Sequence, residues 1–148
     1  LKNHVIMKVF IDTSAFVSLL VKQDLHHDLV VKKHKEYVQH HAIFLTSDYI
    51  LDELYTHLVY DLAKNKVGEI IAKFDQKIHT KDIRLLPIDE TVFSQAKETL
   101  LKFCEHKISF TDCTSYVLCK KLALDEIFTL DSDFKKLNLA VSFHHIPS

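Results

Sequence analysis

Four acidic side chains stand where a chain of alternating strands and helices would gather them. Asp12 follows the apolar run Lys8–Ile11, and Asp131 follows Ile127–Leu130. Glu53 lies within the helical pattern after Ala42–Thr46, and Asp112 lies in Ser109-Phe110-Thr111-Asp112. In an open parallel sheet, ligands bind beyond the carboxyl ends of the strands, so Asp12 and Asp131 reach that edge by chain position alone. The helix of Glu53 starts at the same edge; Glu53 is about six residues, roughly 9 Å, down its axis, and only a long side chain reaches back. The helix of Asp112 runs into the fourth strand through a short loop, so it must oppose that strand and begin at the carboxyl edge. That last step requires the Cys104–Lys107 connection to recross the domain.

Carboxylates brought that close repel one another: a pair about 4 Å apart costs about 4 kcal/mol at an effective dielectric near 20. A fold tolerates this by binding protons or a hard cation. All-oxygen ligation suits Mg²⁺ or Mn²⁺, and Mg²⁺ keeps several waters and adds substrate phosphate, so a few carboxylates suffice. The chemistry implied is phosphoryl transfer or phosphodiester hydrolysis. Taken singly, each acid also has an ordinary explanation: Asp112 as part of a capping box with Ser109, Asp131 as a turn residue, Asp133 as an N-cap. Glu53 opposes Leu51, Leu54, Leu58 and Leu62 on the helical wheel, which is where a solvent-facing residue belongs. Its own face, however, carries Tyr49, His57 and Tyr60, and the helix has no lysine or arginine before Lys64, unlike an ordinary solvated face.

The elements that must position these acids alternate in type. Short β-rich runs occur at Lys8–Ile11, Ala42–Thr46, Ile83–Leu86, Glu126–Leu130 and Val141–Phe143. Between them fall helical patterns at Ser14–Lys22, Leu25–His40, Ser47–Lys64, Val67–Lys77, Thr91–Phe103 and Phe110–Leu122, with a short turn or helix at Asp133–Leu137. This alternation is the signature of β-α-β units around a parallel sheet of about five strands. Asp89 after Pro87 reads as an N-cap, and Pro87 and Pro147 read as strand terminators.

At 148 residues, 47% hydrophobic and 26% charged, the chain reads as one globular domain. Met7 precedes the first strand while the chain begins at Leu1, so residues 1–7 read as an N-terminal extension or added residues, and 8–148 as the domain. The single glycine, Gly68, excludes a P-loop, a G-x-G-x-x-G turn and a G-x-S-x-G elbow. A net charge of −1 lacks the basic excess of many nucleic-acid binders, yet setting aside four site carboxylates leaves +3 for the rest. Cys104, Cys113 and Cys119 form no C-x-x-C pair and no even set, which points to a reducing compartment, the cytoplasm, and no membrane span is written in the sequence.

Other signals are weaker. His27, His34 and His41 share a helical face at spacings of about 10.5 Å, too far apart for one metal, and read as a solvated or partner-facing stripe. Cys104, His106, Cys113 and Cys119 match no common zinc spacing. His57, one turn from Glu53, could touch substrate or support the site. Lys32-Lys33-His34-Lys35, Lys120-Lys121 and Lys135-Lys136 could meet phosphates, although such runs are more often solvated faces.

Four segments resemble the PIN-domain nucleases, and within them the VapC-like ribonuclease toxins. They are Phe10-Ile11-Asp12-Thr13-Ser14-Ala15-Phe16, Leu51-Asp52-Glu53-Leu54-Tyr55, Ser109-Phe110-Thr111-Asp112-Cys113 and Phe128-Thr129-Leu130-Asp131-Ser132-Asp133-Phe134. The resemblance implies a three-layer α/β/α sandwich and Mg²⁺- or Mn²⁺-dependent endonucleolytic cleavage of RNA. It implies direct metal binding by Asp12, Asp112 and Asp131, with Glu53 binding metal or activating water. It also implies a homodimer and a small antitoxin partner. Asp131 is preferred to Asp133 as the fourth acid because it lies closer to the strand end. The sequence departs from the family at Cys113, where alanine is commoner, and at Lys121-Leu122-Ala123-Leu124, which lacks a glycine often found before the fourth strand. Two other readings compete. One is a catalytically silent module that binds RNA or protein. The other is a phosphatase of the haloacid-dehalogenase type, which needs a second aspartate where Ser14 stands.

Overall fold

The computed structural model describes residues 6–146. Most of the N-terminal extension and Pro147 lie outside the described residues. Four parallel strands, β1 (Lys8–Ile11), β2 (Ile43–Ser47), β3 (Ile83–Leu86) and β4 (Glu126–Phe128), form one sheet in the order β3-β2-β1-β4. The sheet has four strands rather than the five expected from sequence. The missing one, Val141–Phe143, is reduced to a single parallel bridge between Val141 and Ile127. Its next residue, Ser142, spends its hydroxyl on the backbone of Thr129, which it both donates to and accepts from.

Among the described residues, six α-helices follow the periodicity of the sequence: α1 (Thr13–Leu20), α2 (His27–Gln39), α3 (Asp48–Asp61), α4 (Lys64–His79), α5 (Glu90–Phe103) and α6 (Phe110–Lys121). Their starts are set by capping side chains. Ser47 accepts from the Ile50 N–H, Asp89 from Val92 and Ser109 from Asp112. Between β1 and β3 the chain moves steadily outward, then returns across the sheet to place β4 beside β1. Right-handed crossovers therefore put α1 to α4 on one face and α5 with α6 on the other, which is the α/β/α sandwich.

Strands buried on both faces read as nearly continuous apolar runs, and Val9, Phe10 and Ile11 are at most 2% exposed. On the first face, Leu51, Leu54 and Leu58 of α3 and Phe74 of α4 fill the core, with the Phe74 ring edge-on to Phe16 at 5.1 Å. A groove of about 470 Å³ remains there among α1, α2, α4 and the sheet, and His34 lines it, stacked on Phe44 at 5.4 Å. The histidine stripe expected from sequence is therefore not a solvated row. His27 bonds to the Ser18 carbonyl through Nδ1, His34 is half-buried with its pKa lowered by that burial and by Lys77, and His41 lies past the helix end at a positive φ of 55°.

Candidate active site

The strand order reverses at β1, so the crevice between the carboxyl ends of β1 and β4 is the topological switch point of the sheet. Asp12 and Asp131 flank that crevice, and the backbone holds them to it: the Asp12 N–H donates to the Phe128 carbonyl at 3.0 Å. The connection from α5 does recross the domain. After a 3-10 turn at Cys104–His106, Lys107 adopts a left-handed conformation and Ser109 starts α6 facing the same crevice. A cleft of about 570 Å³ results, and Asp12, Glu53, Asp112 and Asp131 all line it. Asp24, Asp133, His26 and His57 line it too, and Lys107 is the only lysine or arginine among the described residues of its wall.

Asp12 is the deepest of these acids, at 5% exposure. It occupies the N-cap position of α1, yet its side chain makes no capping bond. Its Oδ2 instead accepts from the Thr129 hydroxyl at 2.7 Å and the Ser14 hydroxyl at 3.3 Å. Burial pushes its pKa up to about 6, opposed by the Thr129 hydrogen bond and aided by repulsion from Asp131 and Glu53. Asp112, half-buried in the first turn of α6, is pushed up to about 7 by burial and then by the charges of Asp12 and Asp131, with the Ser109 hydrogen bond opposing. Glu53 is exposed; its Oε1 accepts from the Thr13 hydroxyl at 2.9 Å, which aims it back along α3 toward the strand end.

Asp131 and Asp133 differ in what they are bonded to. Asp131, not Asp133, caps the 3-10 turn Ser132–Leu137, through Oδ1 accepting from the Asp133 N–H at 2.8 Å. Asp133 is paired with Lys136 at 2.9 Å. His57 pairs with Asp61 at 2.9 Å on the cleft wall.

The residues that sequence reasoning passed over are the hydroxyls behind the acids. Thr129 donates to Asp12 and accepts from the Asp131 N–H at 2.9 Å, and Ser14 accepts from the Leu130 N–H at 2.9 Å. These bonds replace sheet pairing after Phe128, so β4 ends two residues sooner than Leu130, where the apolar pattern ends. Both residues stand inside the quoted motifs, and the available signal was a hydroxyl two positions from each strand-end acid.

As a donor set the cleft is all carboxylate oxygen, the chemistry of a hard divalent cation. Among the described residues, no three acidic, histidine or cysteine side chains already stand as a closed ligand cage. Burial raises the pKa values of Asp12 and Asp112 most, and repulsion among the cleft acids adds to it. A Mg²⁺-like ion keeps several of its waters, so carboxylates that line one cleft without forming a closed cage still suit such an ion.

The family model of the PIN domain matches residues 9–139. The chain belongs to the PIN domain family. No curated protein matches it. Among solved structures, this PIN domain is similar to the VapC20 toxin of Mycobacterium tuberculosis, described as cleaving the sarcin-ricin loop, with 23% identity and a TM-score of 0.75 over 89% of this chain and 96% of that one. FitAcB of Neisseria gonorrhoeae shares 21% identity with a TM-score of 0.68 over 93% and 99%. VapBC2 of Rickettsia felis, solved with a DNA fragment from its promoter, shares 15% identity with a TM-score of 0.66 over 91% and 97%. At these identities the likeness is one of fold. The resemblance read from the four acidic motifs thus holds at the level of the family, and the departure at Ala123 acquires a physical meaning: this alanine sits at φ 48°, the left-handed conformation that glycine adopts at least cost.

Proposed function

We propose that this PIN domain is a metal-dependent endoribonuclease acting as the toxin of a toxin–antitoxin pair, with Asp12, Asp112 and Asp131 as metal ligands and Glu53 as a ligand or water-orienting group. The observation that carries the reading is the convergence of four chain-distant acids, with little neutralising charge, on the switch-point cleft. Bound there, Mg²⁺ or Mn²⁺ would lower the pKa of an attacking water and stabilise the leaving oxygen.

The protein's own contribution is positional. Thr129 and Ser14 fix Oδ2 of Asp12, and the Thr13 hydroxyl fixes Glu53. The cleft at the ends of β1 and β4 would receive the scissile phosphate, and Lys107 is the one lysine on its described wall. The likeness to VapBC2 and to FitAcB supports an antitoxin partner, and the family resemblance supports a homodimer. The reducing cytoplasm fits three free cysteines, two of them buried. Among the described residues no helix is long and apolar enough to cross a membrane.

The test is cleavage of end-labelled single-stranded RNA by the wild type and Asp12→Asn with Mn²⁺, Mg²⁺ or EDTA. Cutting by the wild type alone, and only with metal, is expected. RNA binding without cutting in every lane would replace this reading with that of a silent binding module.

A further inference from the structure

A second cavity, of about 280 Å³, opens beside the acid cleft, and Leu130 and Asp131 line both. Its apolar walls are Leu130, Val141, Phe143 and Ile146. Lys135, His144 and His145 line it as well. We propose that this cavity is a nucleotide subsite of the RNA strand, taking the base and phosphate next to the scissile bond, an assignment that rests on the nuclease reading above.

Three observations carry it. First, the acid cleft repels a polyanion: its wall holds six aspartates and glutamates, Asp12, Asp24, Glu53, Asp112, Asp131 and Asp133, against one lysine. Affinity for an RNA strand must therefore come from groups beside the cleft, and Lys135 with two histidines is what adjoins it at Asp131. Second, the chemistry of the walls is that of base recognition in single strands, where unstacked bases lie against aromatic and histidine rings while cations meet the backbone. The volume lies just below the roughly 300–1,000 Å³ of sites for drug-sized ligands, which suits one nucleotide. Third, the cavity is built rather than incidental. Ser142 clamps the C-terminal segment to Thr129, its N–H bonds the Ile127 carbonyl at 3.0 Å, and Lys135 Nζ donates to the His144 carbonyl at 2.8 Å. The clamp ends on the residue that also holds Asp12, so the subsite and the acids share one rigid anchor.

The experiment compares steady-state cleavage of a mixed-sequence, fluorophore-labelled single-stranded RNA in Mn²⁺ by the wild type, H144A/H145A, H144F/H145F and H40A/H41A. His144 and His145 are exposed, so their loss spares the core. KM is expected to rise about tenfold in H144A/H145A with kcat within about twofold, the size of one lost base-stacking interaction. H144F/H145F should recover most of that loss, and H40A/H41A, altered at the exposed end of α2, should match the wild type. An unchanged KM in H144A/H145A, an equal rise in H40A/H41A, or a fall in kcat alone overturns the subsite while leaving the nuclease standing. Should the wild type cut no RNA with any metal, the nuclease reading fails. Direct binding of the same labelled RNA then decides the subsite separately: weaker binding by H144A/H145A than by the wild type supports it, and equal or absent binding overturns it.

Discussion

The two ends of the β1–β4 strand pair carry charged residues in the same places and treat them in opposite ways. At the amino end, Asp125 accepts from the Lys8 N–H at 2.8 Å through Oδ2, and the Lys8 ammonium donates to the Leu122 carbonyl at 3.1 Å. These polar groups are satisfied locally, as structural ones are. At the carboxyl end, Asp12 and Asp131 face each other and Asp112 across a cleft with hydroxyl partners but little opposing charge. An arrangement that raises two carboxyl pKa values to about 6 and about 7 destabilises the bare fold, and such perturbed groups gather at functional sites. The same residue type, at the two ends of one strand pair, has its hydrogen bonds met locally at one end and crowds with like charge at the other.

Breaking the carboxyl end is expected to cost activity first. Asp12→Asn and Asp112→Asn should each lower metal-dependent RNA cleavage by more than the roughly 10–100-fold that loss of an outer partner causes, with the melting temperature of the metal-free protein unchanged or raised. Thr129→Val removes the outer partner itself and should fall within that roughly 10–100-fold range in a cleavage assay. Asp133→Asn, which removes the partner of Lys136, should change cleavage far less than Asp131→Asn.

The next effect is on stability. The folded-state pKa of Asp12 lies above its unfolded value of 3.8, so protonation favours the fold. That contribution is complete below about pH 3.8 and is lost as the pH rises through about 6, with Asp112 extending the loss to about 7. Denaturant titrations of the metal-free protein should thus give lower stability at pH 8 than at pH 5, by about 1.4 kcal/mol for Asp12 alone, the roughly one pKa unit of its shift that lies above pH 5. Asp12→Asn should flatten that dependence, and Mn²⁺ should restore the wild type at pH 8.

At the amino end the signs reverse. Asp125→Ala should cost about 1 kcal/mol in denaturant unfolding, the worth of one hydrogen bond, and leave cleavage unaltered. An effect of similar size and opposite sign is expected two residues away, where Ala123→Gly relieves a left-handed alanine and should stabilise the protein by about 1 kcal/mol with no change in activity.

Much of this was written in local sequence. The strands Lys8–Ile11 and Ile83–Leu86 carry the bounds expected from their apolar runs, and Asp89 and Ser109 cap the helices that follow them. Helix bounds elsewhere differ by a few residues, because fraying ends depend on local hydrogen bonds that periodicity does not encode. The fifth strand was misread for a related reason. Val141–Phe143 has strand-like residues, but the hydrogen bonds a strand needs beyond Val141 go to the Ser142–Thr129 clamp. His34 was misread because a side chain's neighbours across a groove are set by packing between α2 and the sheet, not by spacing along α2.

The sequence by itself determined the alternation of elements, the family, and which acids stand at strand ends, since these follow from period, capping chemistry and chain position. Only the tertiary structure decided that α6 opens on the cleft beside Asp12 and that Thr129 and Ser14 hold Oδ2. It also decided that the C-terminal segment walls a second cavity at Asp131. Those facts depend on bonds between residues up to 117 positions apart, such as Thr129 to Asp12. Local propensity carries no information about them until strand order brings the two ends of the chain together.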